Sequence, residues 1–131
     1  MQDEKRILIV DDDDDFAEAL SCFLELNGFM VFRAHNGPEG IKLAKMERPD
    51  LILMDIMMNE RTEGFFTIHE IRRDPALKSV PIFVLSSFCT HLPDFEIPLS
   101  GGWLAHDMFF TKPVDTVQLL EKIRQRVGMA V

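Results

Sequence analysis

Four apolar runs in this 131-residue chain end beside residues that can do chemistry. Asp11 and Asp12 follow Ile7-Leu8-Ile9-Val10, and Asp55 follows Leu51-Ile52-Leu53-Met54. Ser86 follows Pro81 to Leu85, and Lys112 comes just after Met108-Phe109-Phe110. If these runs are neighbouring strands of one parallel sheet, three carboxylates, a hydroxyl and an ammonium meet at its carboxyl edge, where ligands bind in open α/β sheets. Like charges about 4 Å apart repel by roughly 4 kcal/mol at a near-surface dielectric, so three clustered aspartates call for a cation. All-oxygen ligands select a hard one, Mg²⁺ or Mn²⁺. A carboxylate held beside such an ion and a lysine can attack phosphorus, because the cations neutralise charge on the transferring oxygens. Ser86 either hydrogen-bonds one of those oxygens or satisfies a loop backbone group.

The elements that must position these residues are legible in the spacing. Ile7–Val10 is a continuous apolar run, as befits a strand buried on both faces. Phe16, Leu20, Phe23 and Leu24 recur at helical spacing, and Asn27-Gly28 is a left-handed helix stop. A weaker strand spans Phe29–Arg33. Asn36 with Glu39 predicts a capping box that opens a second helix through Met46. Leu51–Met54 is the third strand, introduced by Pro49-Asp50. Phe65, Ile68 and Ile71 mark a third helix closed by Asp74-Pro75. Pro81–Leu85 and Met108–Phe110 are the fourth and fifth strands, and Asp115 caps a last helix with Val117, Leu120, Ile123 and Val127 on its apolar face. Strands alternating with helices predict an α/β fold, a doubly wound parallel sheet with helices on both faces. Between Ser87 and Ala105, Pro93, Pro98 and Gly101-Gly102 interrupt the helix due there, because an interior proline costs about 3 kcal/mol; a short or broken helix is expected.

Composition bounds the rest. The length suits one domain able to bury its own core without disulfides. The net charge is −8, and residues 1–25 carry nine acidic and two basic side chains, against thirteen and twelve in residues 26–131. Such a balance offers no basic footprint for nucleic acid. No apolar run approaches a membrane span, and Met1–Arg6 opens on charges rather than as a signal peptide. Cys22 and Cys89 form no C-x-x-C pair and read as reduced thiols of a cytoplasmic protein. Asp13, Asp14 and Asp15 read as helix-capping and solvated carboxylates. His35, His69, His91 and His106 lack ligand spacing and read as surface or loop residues. Met54, Met57 and Met58 read as packing, and Trp103 as an anchor for the irregular segment or a partner contact.

The chain resembles the receiver domain of two-component response regulators, in the CheY-like superfamily. The resemblance covers nearly all of it. Ile7 to Asp12 resembles the family's first strand and acidic pair, and Asn36-Gly37-Pro38-Glu39-Gly40 its second helix. Pro49 to Asp55 resembles the phosphoacceptor strand. Gly64-Phe65 with Ile71-Arg72, Pro81 to Ser86, and Phe109-Phe110-Thr111-Lys112-Pro113 continue in register. The implied fold is flavodoxin-like, five parallel strands in the order 2-1-3-4-5.

The resemblance also implies roles. Asp55 is the phosphoacceptor, receiving its phosphoryl group from the phosphohistidine of a sensor histidine kinase or from a phosphotransfer protein. Asp12, Asp55 and the Met57 carbonyl hold Mg²⁺, with Asp11 acting mainly through water. Lys112 pairs with the phosphoryl group, and Lys112-Pro113 is a cis peptide. Ser86 and Phe109 form a switch pair, Phe109 also serving as strand core, so that phosphorylation shifts populations between two states. The expected output is binding to a downstream protein target, since one domain leaves no room for a DNA-binding or enzymatic output, unless the receiver is excised from a larger protein. Beyond self-phosphorylation from small donors and autodephosphorylation, no enzymatic activity is implied, and no oligomeric state.

Two departures stand out. Asp55 and Gly64 are nine positions apart, longer than usual, with Asn59 where the family commonly has proline. Ser86 and Lys112 are 26 positions apart, also longer than usual, and Ala105-His106 replaces the glycine-alanine pair before the fifth strand. These departures motivate an alternative, a phosphorylation-independent pseudo-receiver that only binds; the intact aspartates and Lys112 argue against it. A haloacid-dehalogenase-like phosphohydrolase is a further alternative, because Asp11 and Asp13 imitate its D-x-D motif. That family needs acidic metal ligands after a late strand, where this chain has Thr111-Lys112-Pro113.

Overall fold

The computed structural model describes residues 4–55, 63–86 and 108–128. Along the chain come β1 (Arg6–Val10), α1 (Asp14–Leu26), β2 (Met30–Ala34), α2 (Gly37–Glu47) and β3 (Leu51–Met54). These are followed by α3 (Glu63–Arg73), a 3-10 turn (Pro75–Leu77), β4 (Ile82–Ser86), β5 (Met108–Thr111) and α4 (Thr116–Val127). All strand pairings are parallel and the order is β2-β1-β3-β4-β5. This is the doubly wound, flavodoxin-like arrangement that the alternation of elements and the resemblance implied. The segment 87–105, for which a short or broken helix was expected, lies outside the described residues, as do Cys89, His91, Trp103 and His106.

The continuous apolar strands have two buried faces to fill. Leu8, Val10, Ile52, Met54, Ile82 and Val84 point to one side and pack with Ala44 of α2 and Ile68 and Ile71 of α3. Their alternates Ile7, Ile9, Leu51, Leu53, Phe83 and Leu85 pack on the other with Leu20 and Leu24 of α1 and Leu119 and Ile123 of α4. Burying such a side chain stabilises the fold by about 1.5–3 kcal/mol before chain entropy is subtracted, so a strand apolar at every position is anchored twice over. α2 lies very close to β1: a Cβ on Gly40 would sit 2.9 Å from Val10 Cγ2.

Polar residues set the helix starts. Asp13, Asn36 and Asp115 each accept a hydrogen bond from a backbone N–H in the first turn of α1, α2 and α4. Asp74 does the same for the 3-10 turn. At α2 the reciprocal half of the capping box lands one residue early, because the Glu39 carboxylate accepts from the His35 N–H at 2.6 Å rather than from Asn36. Asn27 caps the C-terminus of α1, and Gly28 takes the left-handed backbone at φ 91°.

Two local expectations need correction. β2 and β4 each start and end one residue later than the Phe29–Arg33 and Pro81–Leu85 segments, and Phe29 is instead a fully buried residue before β2. On α4, Leu119 takes the core position expected of Val117, whose side chain is 73% exposed. At about 100° per residue, a stripe centred on Leu119, Leu120 and Ile123 leaves Val117 roughly 120° from Ile123, on the solvent side.

Candidate functional site

The register of the central strands places the aspartates. β1 and β3 pair with Val10 opposite Met54, so Asp11 and Asp55, each one residue further on, emerge side by side. Backbone bonds hold them there: the Asp55 N–H donates to the Val10 carbonyl at 2.9 Å, and the Asp11 N–H to the Ala34 carbonyl at 3.0 Å. β2 lies on one side of β1 and β3 on the other, which makes this the switch point of a doubly wound sheet.

Asp11 and Asp55 are buried, with 2% and 5% of their surface exposed, while Asp12 is exposed. Oxygens of all three lie within 4.8 Å of one another. Lys112, just past β5 and two strands away from β3, reaches into this cluster. Its Nζ donates to Asp11 Oδ2 at 2.7 Å and to Asp55 Oδ2 at 3.3 Å. The side chain is 13% exposed. Burial alone would lower the pKa of Lys112. The Asp11 hydrogen bond, together with the charges of Asp55 and Asp11, outweighs that penalty and holds it above its ordinary 10.5.

Lys112 balances one of three negative charges, and the donor set consists of carboxylate oxygens. That chemistry fits a hard divalent cation bound by Asp11, Asp12 and Asp55. Met57, expected to add a backbone ligand, lies outside the described residues. So does the Asn59 loop up to residue 62.

The other expected site residues are placed as follows. Ser86 ends β4 opposite Thr111, and its hydroxyl is outside what the structure describes. Phe109 sits in β5 opposite Val84, half-buried against the core layer of α2 and α3. Lys112-Pro113 is a cis peptide. Asp13 caps α1, and its own N–H donates to Asp11 Oδ1 at 2.9 Å, so the third aspartate orients the first. Asp14 pairs at the surface with His35, Nδ1 to Oδ1 2.8 Å, with both side chains more than half exposed.

One neighbour was not legible as part of this site. The Phe16 ring faces the Lys112 ammonium, 4.1 Å from Nζ to the ring centroid. In the sequence Phe16 reads only as a core position of α1. The available signal was its place in the first helical turn after the strand-end aspartates.

The sequence profile of the response regulator receiver domain matches residues 7–124. The chain belongs to that family. Receiver domains are signalling domains, generally not classical enzymes, and several relatives of this receiver are regulators by name. Protein PilH of Pseudomonas aeruginosa is 36% identical over 120 residues, covering 90% of this chain and 93% of PilH. The DNA-binding dual master transcriptional regulator RpaA of Synechocystis is 34% identical over 119 residues. That match covers 91% of this chain but 47% of RpaA, so the receiver spans about half the length of that relative. Among solved structures, the receiver domain of the Pseudomonas aeruginosa sensor histidine kinase PA1611 superposes with a TM-score of 0.83. It is 24% identical and covers 96% of this chain and 99% of its own, which speaks to the shared fold, and it holds a magnesium ion in its active-site cleft. Among the described residues no helix is long and apolar enough to cross a membrane.

Proposed function

We propose that this receiver accepts a phosphoryl group on Asp55 from the phosphohistidine of a sensor histidine kinase or phosphotransfer protein, and then signals to a downstream protein. The observation that carries this reading is the Lys112 ammonium shared between Asp11 and Asp55 inside a cluster of three carboxylates.

A carboxylate oxygen of Asp55 attacks phosphorus. The bond from phosphorus to the donor imidazole nitrogen breaks, its electron pair stays on that nitrogen, and the imidazole takes up a proton. The product is an acyl phosphate on Asp55. Lys112, already within hydrogen-bond reach of Asp55, pairs with the phosphoryl oxygens as their charge develops. Asp11 holds Lys112 in place and is itself held by the Asp13 N–H. Asp11, Asp12, Asp55 and the Met57 carbonyl are the groups that would hold Mg²⁺ or Mn²⁺, which when bound neutralises charge on the transferring phosphoryl oxygens.

Ser86 and Phe109 carry the response. Ser86, at the end of β4, turns its hydroxyl to the phosphoryl group, and Phe109, half-buried on the neighbouring strand, rotates into the space released. The equilibrium between two arrangements then shifts. The domain comprises the whole of residues 1–131, lies in the cytoplasm and acts without touching nucleic acid itself.

The test is intact mass after incubation with Mg²⁺ and a small phosphodonor such as acetyl phosphate. The wild type is expected to gain one phosphoryl group and Asp55→Asn none. A wild type that gains none, beside a receiver that does, contradicts the reading and favours a binding module that works without phosphorylation.

A further inference from the structure

We infer that Phe16 is a positioning residue for phosphoryl transfer, its ring face holding the Lys112 ammonium in place while the charge on Asp55 changes. The inference rests on Asp55 being the phosphoacceptor.

The contacts form a closed circuit. Lys112 Nζ donates to Asp11 Oδ2 at 2.7 Å, and Asp11 Oδ1 accepts from the Asp13 N–H at 2.9 Å. Asp13 Oδ1 in turn accepts from the Phe16 N–H at 3.1 Å. The Phe16 ring returns to Lys112 at 4.1 Å, well inside the roughly 6 Å range over which a ring face attracts a cation. A single turn therefore sets both the carboxylate and the ring that flank the ammonium. Rigid backbone on either side, the end of β1 and the first turn of α1, keeps them at fixed separation.

An aromatic face suits this task better than another carboxylate. An ammonium has three N–H donors and no acceptor. The Asp11 and Asp55 bonds use two of them, and the second must be given up when Asp55 becomes an acyl phosphate. A further carboxylate would hold Lys112 more tightly but would repel the incoming phosphoryl group and compete with it for the ammonium. The ring holds the cation through its quadrupole, carries no net charge and presents nothing for a phosphoryl oxygen to displace. Lys112 can then transfer a hydrogen bond from Asp55 to the phosphoryl oxygens without leaving its seat.

Phe16 also packs against the core layer of α1 and α4, so simple truncation would mix positioning with packing. A series of fluorinated phenylalanines at position 16 separates the two, since fluorine drains the ring face with little change in shape. The initial rate of phosphoryl adduct formation on the full chain, with acetyl phosphate and Mg²⁺, is expected to fall stepwise with fluorine number. The trifluoro ring should reach about fivefold, the equivalent of about 1 kcal/mol. Phe16→Trp should retain the wild-type rate, and Phe16→Leu should fall at least as far as the trifluoro ring. The melting temperature should stay level across the fluorinated series. In the metal-free protein the Lys112 ε-methylene protons should be shifted upfield by the ring in wild type and lose that shift in Phe16→Leu. Equal rates across the series, in a protein whose wild type is phosphorylated on Asp55, would overturn the role of Phe16 and leave the phosphoacceptor standing. A wild type that takes no phosphoryl group would overturn both.

Discussion

Lys112 Nζ lies 2.7 Å from Asp11 Oδ2, although the two residues stand 101 positions apart and enter the site from opposite halves of the sheet. The pairing joins the end of β5 to the end of β1, and Asp55 completes it at 3.3 Å from the same nitrogen. On the proposed function, a cation bridging two buried carboxylates has a structural and a chemical role, and the two can be measured apart.

Replacing Lys112 with Met leaves Asp11 and Asp55 buried without their shared countercharge. Breaking a buried pair typically costs about 3–5 kcal/mol, and partial solvent contact reduces that here to about 2 kcal/mol. Urea unfolding with chelator present should show this loss. Phosphoryl transfer from a small donor should slow by at least a hundredfold, consistent with a transition-state contact of this kind.

The pH at which that stabilisation vanishes follows from the Lys112 shift. Its native pKa lies above the ordinary 10.5, so its contribution is fully present below about that value and is lost as pH rises through the higher native one. The stability difference between wild type and Lys112→Met should be flat from neutral pH to pH about 10 with respect to this group and shrink above it. A difference that disappears between pH 7 and 9 would contradict the assignment.

Magnesium should stabilise the folded chain by mass action. At a free concentration one hundred times its dissociation constant, the gain is about 2.7 kcal/mol, read as a rise in melting temperature that chelator reverses. Asp12→Asn removes a carboxylate from the cluster while leaving Lys112 with both its partners, so the magnesium-dependent rise should shrink several-fold.

Gly40→Ala tests the packing that fixes the strand bearing Asp11. Alanine is favoured over glycine in a helix by about 1 kcal/mol. Here the new methyl group would meet Val10 Cγ2 at 2.9 Å and Cγ1 at 3.0 Å, on a strand that cannot yield without disturbing the site. The clash should win, with a net loss of about 1–2 kcal/mol in urea unfolding. Val10→Ala in the same chain should recover part of it.

The parallel strands and the carboxyl-edge cluster were legible because each rests on a strong local signal, whereas the strand order came only from the family resemblance. Ile7–Val10 and Leu51–Met54 are apolar at every position, which only a two-sided burial explains, and both end on aspartate. Once parallel pairing is granted, Asp11 and Asp55 must be neighbours. What escaped depends on rotation or on long-range reach. Val117 and Leu119 are both apolar, and only the direction in which α4 docks decides that Leu119 enters the core. Glu39 turning to His35 instead of Asn36 is a matter of one residue in a flexible side chain. Phe16 has a helical period that accounts for it as core, and nothing local shows that Lys112 arrives over its ring from two strands beyond β3.

Chemical mapping of the phosphorylated residue tests the central claim most directly. Borohydride reduces an aspartyl phosphate to homoserine and leaves free carboxylates unchanged. After incubation with acetyl phosphate and Mg²⁺, reduction and proteolysis, the peptide containing Asp55 should carry homoserine at that position, and Asp11 and Asp12 should remain aspartate. Homoserine at Asp11 or Asp12 with Asp55 intact, or at none of the three, would contradict the account.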